Sequence, residues 1–560
     1  MNPLHRKTKI QSNGARLTGT ILAGMILMLG WALPSHAQVP TPTVLYAFQQ
    51  EPTDVIEPTG TIAQGTDGNL YGTGSNRGAN NTGGVFKITP AGVETLLVSF
   101  PTTWNACAEG LTLATDGNLY GACIIGGANG AGFIYRVTLA GVLTDIYDFP
   151  SYTTGCCPLS APVLGANGDL YGTTSEYGGS SAPYAVYRIS TAGVFKSLYT
   201  FADGNSVPSV LSAGSDGNFY GTEQDADGYG NVGGVFRISS SGTFKLLYGF
   251  DNSVDVEYPS TGVVLDTNGK LYGTTAFPSG TDGSGALYDV TTGGKVTNIY
   301  NFPSSLNFDE AANNMIEASN GNLYGASSNG GSAARGGLYE LTSANVFSSY
   351  SFTDFDTDSS ATGGNPTAPL FQSTNGLLYG INFAGGPPEA QGTFFSLNIA
   401  AAPFISLLTP VYSGEEGAQV QILGQGFSSS SVVKFAGTKA TTTTLTGTTF
   451  ITATVPAGAL TGDVTVTTGS TVLSTLSSYS VTPTFKSFTP SSGAVGTEVT
   501  ITGTGLTQAT KVTFDNASAT FTVNSDSSIT ATVPTGAATG KIKVTTKGGS
   551  ATSSTSFTVN

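Results

Sequence analysis

The sequence predicts an all-β protein, a seven-bladed β-propeller followed by two immunoglobulin-like β-sandwiches. A Leu-Tyr-Gly segment, or a near copy of it, occurs seven times at intervals of about 50 residues, a spacing typical of propeller blades. One Thr- and Val-rich segment with alternating apolar residues occurs twice within residues 403–560, as expected for small sandwiches. Only 10% of the residues are charged and 76 are glycine, a composition that suits a β protein rich in turns.

The first repeat shows how one unit is expected to fold. Its predicted strands are residues 59–64, 70–74, 85–89 and 94–100. Asp67-Gly68 and Ala91-Gly92 lie between strands and supply the positive φ angles that tight turns require. Four antiparallel strands of this length make one blade.

The ring is predicted to close through its N-terminal strand. The seventh repeat runs into Asn398-Ile399 without a fourth strand, whereas residues 44–48, which precede the first repeat, match the fourth-strand pattern. A strand from the N-terminus that completes the last blade would pair edges that are otherwise exposed. The propeller is therefore expected to span residues 38–402. A linear β-solenoid is the alternative, although its repeats are normally shorter.

The Leu-Tyr-Gly-Thr-Thr segment at 170–174 and the Gly-Gly-Val-Phe segment at 233–236 resemble the GloVer-type tandem repeats of exported bacterial proteins. That resemblance implies an exported protein and no established activity. Residues 403–482 and 483–560 resemble IPT/TIG domains in their Ala-Thr-Val-Pro strand and their Val-x-Ile-x-Gly-x-Gly segment. In bacterial surface proteins such domains are commonly spacers or adhesion modules.

The N-terminus is expected to be a signal peptide over residues 1–37. Four basic residues precede the apolar run 17–33, and Ser35-His36-Ala37 matches a small-x-small cleavage site. A retained membrane anchor is the alternative, but the run is short for a membrane span. The mature chain would begin at Gln38, contain no transmembrane segment and be secreted or held at the cell surface.

Charge and histidine content exclude several functions. The formal net charge is −15 and would become more negative without residues 1–37, which disfavours nucleic acids and anionic membranes as partners. Both histidines, His5 and His36, lie in the predicted signal peptide, so the mature chain has no Ser-His-Asp triad and no His-ligated zinc or iron. The domain order is similar to that of galactose-oxidase-type copper enzymes, but those enzymes need imidazole ligands.

The long and varied connections between the strands predict the binding surface, since loops on a rigid scaffold usually carry function. Trp104 and Tyr229 are the candidate ligand-binding residues there, although a local loop core is the favoured interpretation of Trp104. Calcium is the cofactor candidate, because carboxylates at alternate positions can surround one cation. The candidate calcium ligands are Asp225, Asp227, Asn231, Asp354, Asp356 and Asp358. Solvated turn residues are the alternative interpretation of these two runs.

The four cysteines fall in the second and third repeats. Export favours disulfides, and four cysteines allow three pairings. Cys107 opens one strand and Cys123 closes its hairpin partner, so that these two can meet. Cys156 and Cys157 would then form a vicinal pair or belong to another arrangement, and a zinc site is a further alternative.

The function expected from the sequence is an exported binding or adhesion protein. Its propeller would recognise a glycan or a protein at the cell surface, with the TIG domains as a spacer. A histidine-free polysaccharide hydrolase or lyase is one alternative, with Glu109, Glu257 and Glu310 as candidate catalytic carboxylates. A structural component of the cell envelope is another. The sequence predicts no oligomeric state.

Overall fold

A computed structural model gives the fold of the chain. It describes residues 39–49, 54–105, 107, 109–151, 156–174, 184–201, 207–214, 216–224, 231–251, 257–259, 261–277, 285–303, 306, 308, 315–352, 362–385, 391–401, 403–409, 413–475 and 478–560. The predicted signal peptide lies outside these ranges. All regular elements within them are strands, and no helix among them has the length and apolar character to cross a membrane.

The described residues up to 401 form seven antiparallel sheets, one for each repeat, which we call blades 1 to 7. Blade 1 contains β2 (Val55–Gln64), β3 (Leu70–Arg77), β4 (Gly84–Ile88) and β5 (Glu94–Ser99). Blade 2 contains β7 (Thr112–Leu113), β8 (Leu119–Cys123), β10 (Phe133–Val137) and β11 (Leu143–Asp148), beside a loop pair β6 (Trp104–Asn105) and β9 (Ile125–Gly126). Blade 3 contains β12 (Val163–Leu164), β13 (Leu170–Thr173), β14 (Ala185–Ile189) and β15 (Phe195–Thr200). Blade 4 contains β16 (Val207–Pro208), β17 (Ser212–Ala213), β18 (Asn218–Gln224), β19 (Asn231–Ser239) and β20 (Phe244–Asp251).

The remaining blades follow the same order. Blade 5 contains β21 (Glu257–Pro259), β22 (Val264–Leu265), β23 (Lys270–Phe277), β24 (Ala286–Thr291) and β25 (Val296–Asn301). Blade 6 contains β26 (Ile316–Glu317), β27 (Leu323–Ser327), β28 (Gly337–Leu341) and β29 (Phe347–Ser351). Blade 7 contains β30 (Gly364–Pro366), β31 (Phe371–Gln372), β32 (Leu378–Ala384), β33 (Thr393–Leu397) and, from the N-terminus, β1 (Thr43–Ala47).

The N-terminal strand closes the ring as predicted. β1 pairs antiparallel with β33, so that Val44 lies opposite Phe395 and Ala47 opposite Thr393. The pairing continues past β1, because the Phe48 amide donates to the Gly392 carbonyl at 3.1 Å. The first and last parts of the propeller are thus joined by one continuous ladder of hydrogen bonds.

Each Leu-Tyr-Gly segment lies in the second strand of its blade, where its glycine makes room for an aromatic ring. A Cβ atom on this glycine would collide with the ring of the third strand; at Gly221 it would lie 2.6 Å from Cζ of Phe236. The same close approach occurs in every blade. The seven pairs are Gly72–Phe86, Gly121–Tyr135, Gly172–Tyr187, Gly221–Phe236, Gly273–Tyr288, Gly325–Tyr339 and Gly380–Phe395.

The tyrosine of each segment fastens the Asx-Gly turn that precedes it. Its ring is buried, and its hydroxyl bonds to the Asx side chain four residues earlier, as Tyr71 does to Asp67 at 2.8 Å. The seven pairs are Tyr71–Asp67, Tyr120–Asp116, Tyr171–Asn167, Tyr220–Asp216, Tyr272–Asn268, Tyr324–Asn320 and Tyr379–Asn375. The Asx-Gly turns are therefore part of the scaffold, which is the structural interpretation favoured by their turn chemistry.

Two β-sandwiches follow. The first contains β34 (Ile405–Thr409), β35 (Ser413–Gly414), β36 (Gln419–Gly424), β37 (Val432–Phe435), β38 (Thr438–Lys439), β39 (Thr443–Thr446), β40 (Phe450–Thr454), β41 (Val464–Thr468), β42 (Thr471–Ser474) and β43 (Ser480–Val481). The second contains β44 (Thr484–Thr489), β45 (Ser492–Gly493), β46 (Glu498–Thr504), β47 (Ala509–Phe514), β48 (Ala517–Ala519), β49 (Phe521–Ser525), β50 (Ser528–Thr532), β51 (Gly540–Thr546) and β52 (Gly549–Val559). Both pair their strands alike: β34-β36-β40-β39 corresponds to β44-β46-β50-β49, and the parallel contact β35-β43 corresponds to β45-β52. The predicted fold class, an all-β propeller followed by immunoglobulin-like sandwiches, is confirmed.

Candidate functional site

The propeller has two unlike faces. The turns that join the first strand to the second and the third to the fourth define its turn face, and the other connections define its loop face. On the turn face, six third-to-fourth turns share one hydrogen bond, in which a Ser or Thr hydroxyl accepts the backbone N–H four residues later. The pairs are Thr89–Val93, Thr138–Val142, Ser190–Val194, Ser239–Thr243, Thr291–Lys295 and Thr342–Val346. The repeated polar groups of this face therefore serve the scaffold.

The first sandwich packs against the turn face. Its Gln425 donates a hydrogen bond from Nε2 to the Asn375 carbonyl at 3.1 Å and lies against Gly376. Beside this contact is a cavity of about 540 Å³. Its apolar lining comes from Ile316, Leu370 and Phe371 of the propeller and from Phe404, Ile405 and Leu473 of the sandwich.

One carboxyl group lines this cavity. Glu317 accepts hydrogen bonds from the Thr267 amide at 3.0 Å and from the Thr267 hydroxyl at 2.5 Å, which ties blade 6 to blade 5. The pKa of Glu317 is raised to about 7, mainly by burial and in smaller part by the neighbouring Asp266. A carboxyl group with a raised pKa in a largely apolar cavity is an unusual arrangement that often marks a functional position.

Sequence reasoning missed this cavity and its carboxyl group. A comparison of the repeats contains the signal, because Glu317 occupies a position held by uncharged residues in the other six blades. Those residues are Gln64, Leu113, Leu164, Ala213, Leu265 and Gln372. The sequence does not indicate that a sandwich would cover this position, because nothing in the pattern gives the angle at which the two domains meet.

On the loop face, the described candidates gather in blade 2. Trp104 is half-buried and packs against Phe133, with ring centroids 4.7 Å apart, and against Tyr135, at 5.4 Å. A disulfide joins Cys107 to Cys123 in the same cluster, and the Tyr135 hydroxyl donates to the Cys107 carbonyl at 3.3 Å. The described contacts of Trp104 are those of a residue in a local loop core. They differ from those expected of an open platform on which a sugar could stack.

The second disulfide joins Cys156 to Cys157, both fully buried between blades 2 and 3. The Cys157 amide donates to the Ala131 carbonyl at 2.9 Å, so that this bridge anchors the connection into blade 3. All four cysteines of the chain are thus bonded, and two neighbouring connections of the loop face are covalently constrained.

Glu109 lies in the same connection as Trp104. Its carbonyl accepts a hydrogen bond from the Ala161 amide of the next repeat at 3.1 Å. Burial raises the pKa of its carboxyl group to about 7, and the burial-dominated rise in the Tyr135 pKa includes a contribution from Glu109. Glycoside hydrolysis needs two carboxyl groups about 5 to 10 Å apart, and no second described carboxyl group contributes to the shift at Glu109.

The other predicted site residues are not described as side chains. Tyr229, Glu310 and both predicted calcium runs, apart from Asn231, lie outside the described residues. Asn231 opens β19, opposite Asp251, and Glu257 opens β21, opposite Phe277; for both, the structure gives the backbone alone. Within the described ranges no three His, Cys, Asp or Glu side chains are grouped as a metal site would require. The calcium sites remain predictions.

Comparisons with solved structures give matches of low identity. A fungal alcohol oxidase of the AA5 family, solved in complex with copper, is 12% identical, over 93% of this chain and 100% of the oxidase, with a TM-score of 0.41. SGBP-B from a xyloglucan utilization locus of Bacteroides uniformis is 22% identical, over 28% of this chain, with a TM-score of 0.15. A surface glycan-binding protein from Prevotella bryantii is 19% identical, over 28% of this chain, with a TM-score of 0.23. The chain spans 49% and 42% of the lengths of the two bacterial proteins.

A search of curated proteins finds no match. Family profiles do match. The IPT/TIG domain profile matches residues 483–559, the second sandwich, which confirms that resemblance at the C-terminus. The profile of the Gloeobacter/Verrucomicrobia repeat matches residues 7–231 and 207–455. These two matches cover well over half of the chain, and the protein therefore belongs to the Gloeobacter/Verrucomicrobia repeat family.

Proposed function

We propose that this chain is an exported binding protein that holds a glycan or a protein at the cell surface through the loop face of its propeller. The two sandwiches act as a spacer behind it. The observation that carries the proposal is the position of the first sandwich, since Gln425 contacts Asn375 and Gly376 on the turn face. The loop face is therefore the propeller surface that remains open to a partner.

The use of polar groups supports the same assignment. On the turn face the Asx, Tyr, Ser and Thr side chains of the repeat bond to one another or to the local backbone. Such groups are satisfied within the fold and gain little from a partner. On the loop face, Thr102 and Thr103 are exposed above the Trp104 cluster, which the Cys107–Cys123 disulfide holds in place. Exposed groups on a constrained base lose little conformational entropy on binding.

Export is supported by the basic and apolar N-terminal segment and by the two disulfides, which form in oxidising compartments. The acidic composition favours a neutral glycan or a basic protein surface over an anionic polysaccharide. Calcium, held by the predicted runs Asp225–Asn231 and Asp354–Asp358, would admit an anionic glycan by bridging it to the protein.

Glycan binding can be tested with the purified protein on an array of neutral polysaccharides (xyloglucan, xylan, mannan and mixed-linkage glucan) and of alginate and polygalacturonate. Each is assayed with calcium and with a chelator. We expect retention of at least one neutral polysaccharide without release of reducing sugar, and no retention of the anionic ones under chelation. Release of reducing sugar that Glu109→Gln abolishes would instead establish hydrolysis.

The face that binds can be tested with paired arginine variants. Thr102→Arg and Thr103→Arg change exposed residues of the loop face, whereas Val142→Arg and Val194→Arg change turn-face residues that are 59% and 67% exposed. We expect the loop-face pair to weaken retention of the bound polysaccharide at least tenfold and the turn-face pair to leave it unchanged. The reverse pattern would assign binding to the turn face and contradict the proposal.

A further inference from the structure

Three joints of the molecule bring carboxyl groups together where no cation is described between them. The first is at the closure of the ring. In three other blade contacts, the tyrosine of one fourth strand stacks on a phenylalanine of the next blade: Tyr147–Phe195, Tyr199–Phe244 and Tyr300–Phe347, with ring centroids 4.0 to 4.3 Å apart. At the closure, Tyr46 of β1 meets Glu94 at the position of that phenylalanine, and its hydroxyl donates to Asp54 at 2.8 Å.

At this closure two carboxyl oxygens are buried without a described hydrogen-bond donor. Asp54 is 4% exposed, and its Oδ2 accepts from the Tyr46 hydroxyl and from the Gln49 amide. Among the described residues, Oδ1 of Asp54 and Oε1 of Glu94 are buried and have no hydrogen-bond partner. Burial raises the pKa of Glu94 to about 8, with a further contribution from Asp54. A proton on one of these groups supplies the missing donor. Glu51 and Glu57 are each three residues from Asp54 in sequence, and Glu51 lies outside the described residues.

The second joint is the contact between blades 5 and 6, where Glu317 faces Asp266 and binds Thr267. The next two contacts around the ring use glutamine in the same role. Gln372 binds the amide and hydroxyl of Ser319, and Gln64 binds those of Thr374, at 2.9 to 3.0 Å. A protonated glutamic acid matches glutamine in shape and in hydrogen bonding, whereas an ionised one faces Asp266 as a like charge.

Lysine does not neutralise this second joint. Lys270 lies on the same turn as Asp266, but its Nζ binds Asp289 at 2.7 Å. Asp266 itself occupies a position that holds small uncharged residues in the other blades. These are Gly65, Ala114, Gly165, Gly214, Ala318 and Ser373.

The third joint connects the two sandwiches. Glu416 of the first accepts from the Gly458 amide at 2.6 Å, while Asp526 of the second accepts from the Thr507 hydroxyl at 2.8 Å and from the Gly505 amide. Burial raises the pKa of Glu416 to about 7, and Asp526, across the joint, adds to the rise. Burial alone would raise the pKa of Asp526, but Glu416 and the other donors together lower it. The two pKa shifts therefore run in opposite directions, and Glu416 is the group of the pair that is easier to protonate.

We propose that protons shared between carboxyl groups stabilise these three joints. The joints are therefore more stable in mild acid and become less stable as the pH rises past neutrality. The direction follows from proton binding. The folded protein holds protons on Glu94, Glu317 and Glu416 that the unfolded chain releases above its ordinary carboxyl pKa of 4.5. The contribution of these three groups to stability is therefore fully present below that value and is lost as the pH rises past the raised values of about 7 to 8.

The test compares the purified protein with the triple variant Glu94→Gln, Glu317→Gln and Glu416→Gln. Thermal unfolding is followed between pH 4.5 and 9 through Trp104, the one tryptophan beyond residue 37. We expect the melting temperature of the unchanged protein to fall by at least 5 °C from pH 5.5 to 8.5, on the order of 1 to 2 kcal/mol for a large domain. The triple variant should lose most of this fall and keep only the smaller part that comes from other buried carboxyl groups such as Glu109, whose pKa is also raised to about 7. Parallel profiles of the two proteins would overturn the proposal.

Two further measurements separate a proton from a cation and guard against misfolding. Glu317→Gln alone reproduces the side chain that Gln64 and Gln372 already supply, so it should fold and lose part of the pH dependence; Gln372→Glu should add to it. Small-angle scattering should show the sandwiches spreading at pH 8.5 in the unchanged protein and not in Glu416→Gln. If calcium at pH 8.5 restores the acid melting temperature and a chelator removes it, a cation holds the joints and the proposal is wrong.

Discussion

The two faces of the propeller differ in how far each blade repeats the others. On the turn face, the Asx–Tyr bond occurs in all seven blades, and within the strands the close approach of a glycine to an aromatic ring also occurs in all seven. On the described loop face, one backbone bond that follows the fourth strand recurs in most blades, as from the Phe100 amide to the Gly83 carbonyl, but the Trp104 cluster and the Cys156–Cys157 bridge each belong to one blade. A contact repeated around the ring reports the needs of the scaffold, whereas a contact in one blade reports a requirement particular to that blade.

The same comparison can be made between contacts on the turn face itself. Where blades 1 to 5 meet, the first-strand position that Glu317 occupies in blade 6 holds Leu113, Leu164, Ala213 or Leu265. At the three following contacts this position carries Glu317, Gln372 and Gln64, which bind the preceding blade. Two of the three polar contacts coincide with the region that the first sandwich covers, since Glu317 and Gln372 line the cavity beneath it.

The largest effect is expected at a glycine of the repeat. Gly221→Ala would place a methyl group 2.6 Å from Phe236, which is fully buried and cannot move aside. Overpacking of this kind costs about 3 kcal/mol. Denaturant unfolding followed by Trp104 fluorescence should show the loss, and a shift below about 1 kcal/mol would mean that the blade adapts to the methyl group.

A glycine of the loop face provides the matched control. Gly130 has a positive φ of 74° and nothing within 4 Å of its would-be Cβ atom. Gly130→Ala should therefore cost backbone strain alone, on the order of 1 kcal/mol. Equal losses for the two variants would show that the packed glycine of the repeat tolerates a methyl group as well as an open loop glycine does.

The second effect concerns the tyrosine of the repeat. Tyr220→Phe removes a 2.7 Å hydrogen bond to Asp216 and should cost about 1.5 kcal/mol at neutral pH. Burial raises the Asp216 pKa, but bonds from Asn218 and Tyr220 outweigh it and lower the pKa below its ordinary value of 3.8. The stabilisation is therefore present above that value and lost as the pH falls through the lowered pKa, so that the variant and the unchanged protein should converge in acid.

Tyr187→Phe is the control for this variant. The Tyr187 hydroxyl is buried and has no hydrogen-bond partner in the part of the chain that the structure describes, and blades 1, 4 and 7 have phenylalanine at this position. Removing it should be neutral or stabilising. A loss that matches that of Tyr220→Phe would show that both hydroxyls are removed at a similar cost, whatever their partners.

Most of the fold could be predicted from the sequence because the repeat is a local signal. The Asx-Gly turns, the alternation of the strands and the missing fourth strand of the last repeat are each visible within a few residues of one another. They led to the ring and to its closure by β1. What the sequence did not reveal is how the domains meet, since Gln425 and Asn375 are 50 residues apart and belong to no repeated pattern.

The candidate site was predicted less completely, for a related reason. The sequence indicated Trp104, Cys107, Cys123 and Glu109 separately, and the structure gathers them around Tyr135 because one connection carries three of them. It did not indicate the carboxyl pairs. Glu416 and Asp526 are more than 100 residues apart, and each resembles an ordinary solvated acid until the two sandwiches are placed end to end.

The smallest effect is expected at a third-to-fourth turn. Ser190→Ala removes the hydroxyl that accepts the Val194 amide at 3.1 Å, and the freed amide at this partly exposed turn can bond to water. The expected loss is therefore about 0.5 kcal/mol, smaller than for the buried Tyr220 bond. Because the six such turns lie in separate blades and share no partner, their losses should add, to about 3 kcal/mol for alanine at all six. A sum far above this value would mean that the turns cooperate around the ring, and the turn face would then be one coupled structure rather than a set of independent repeats.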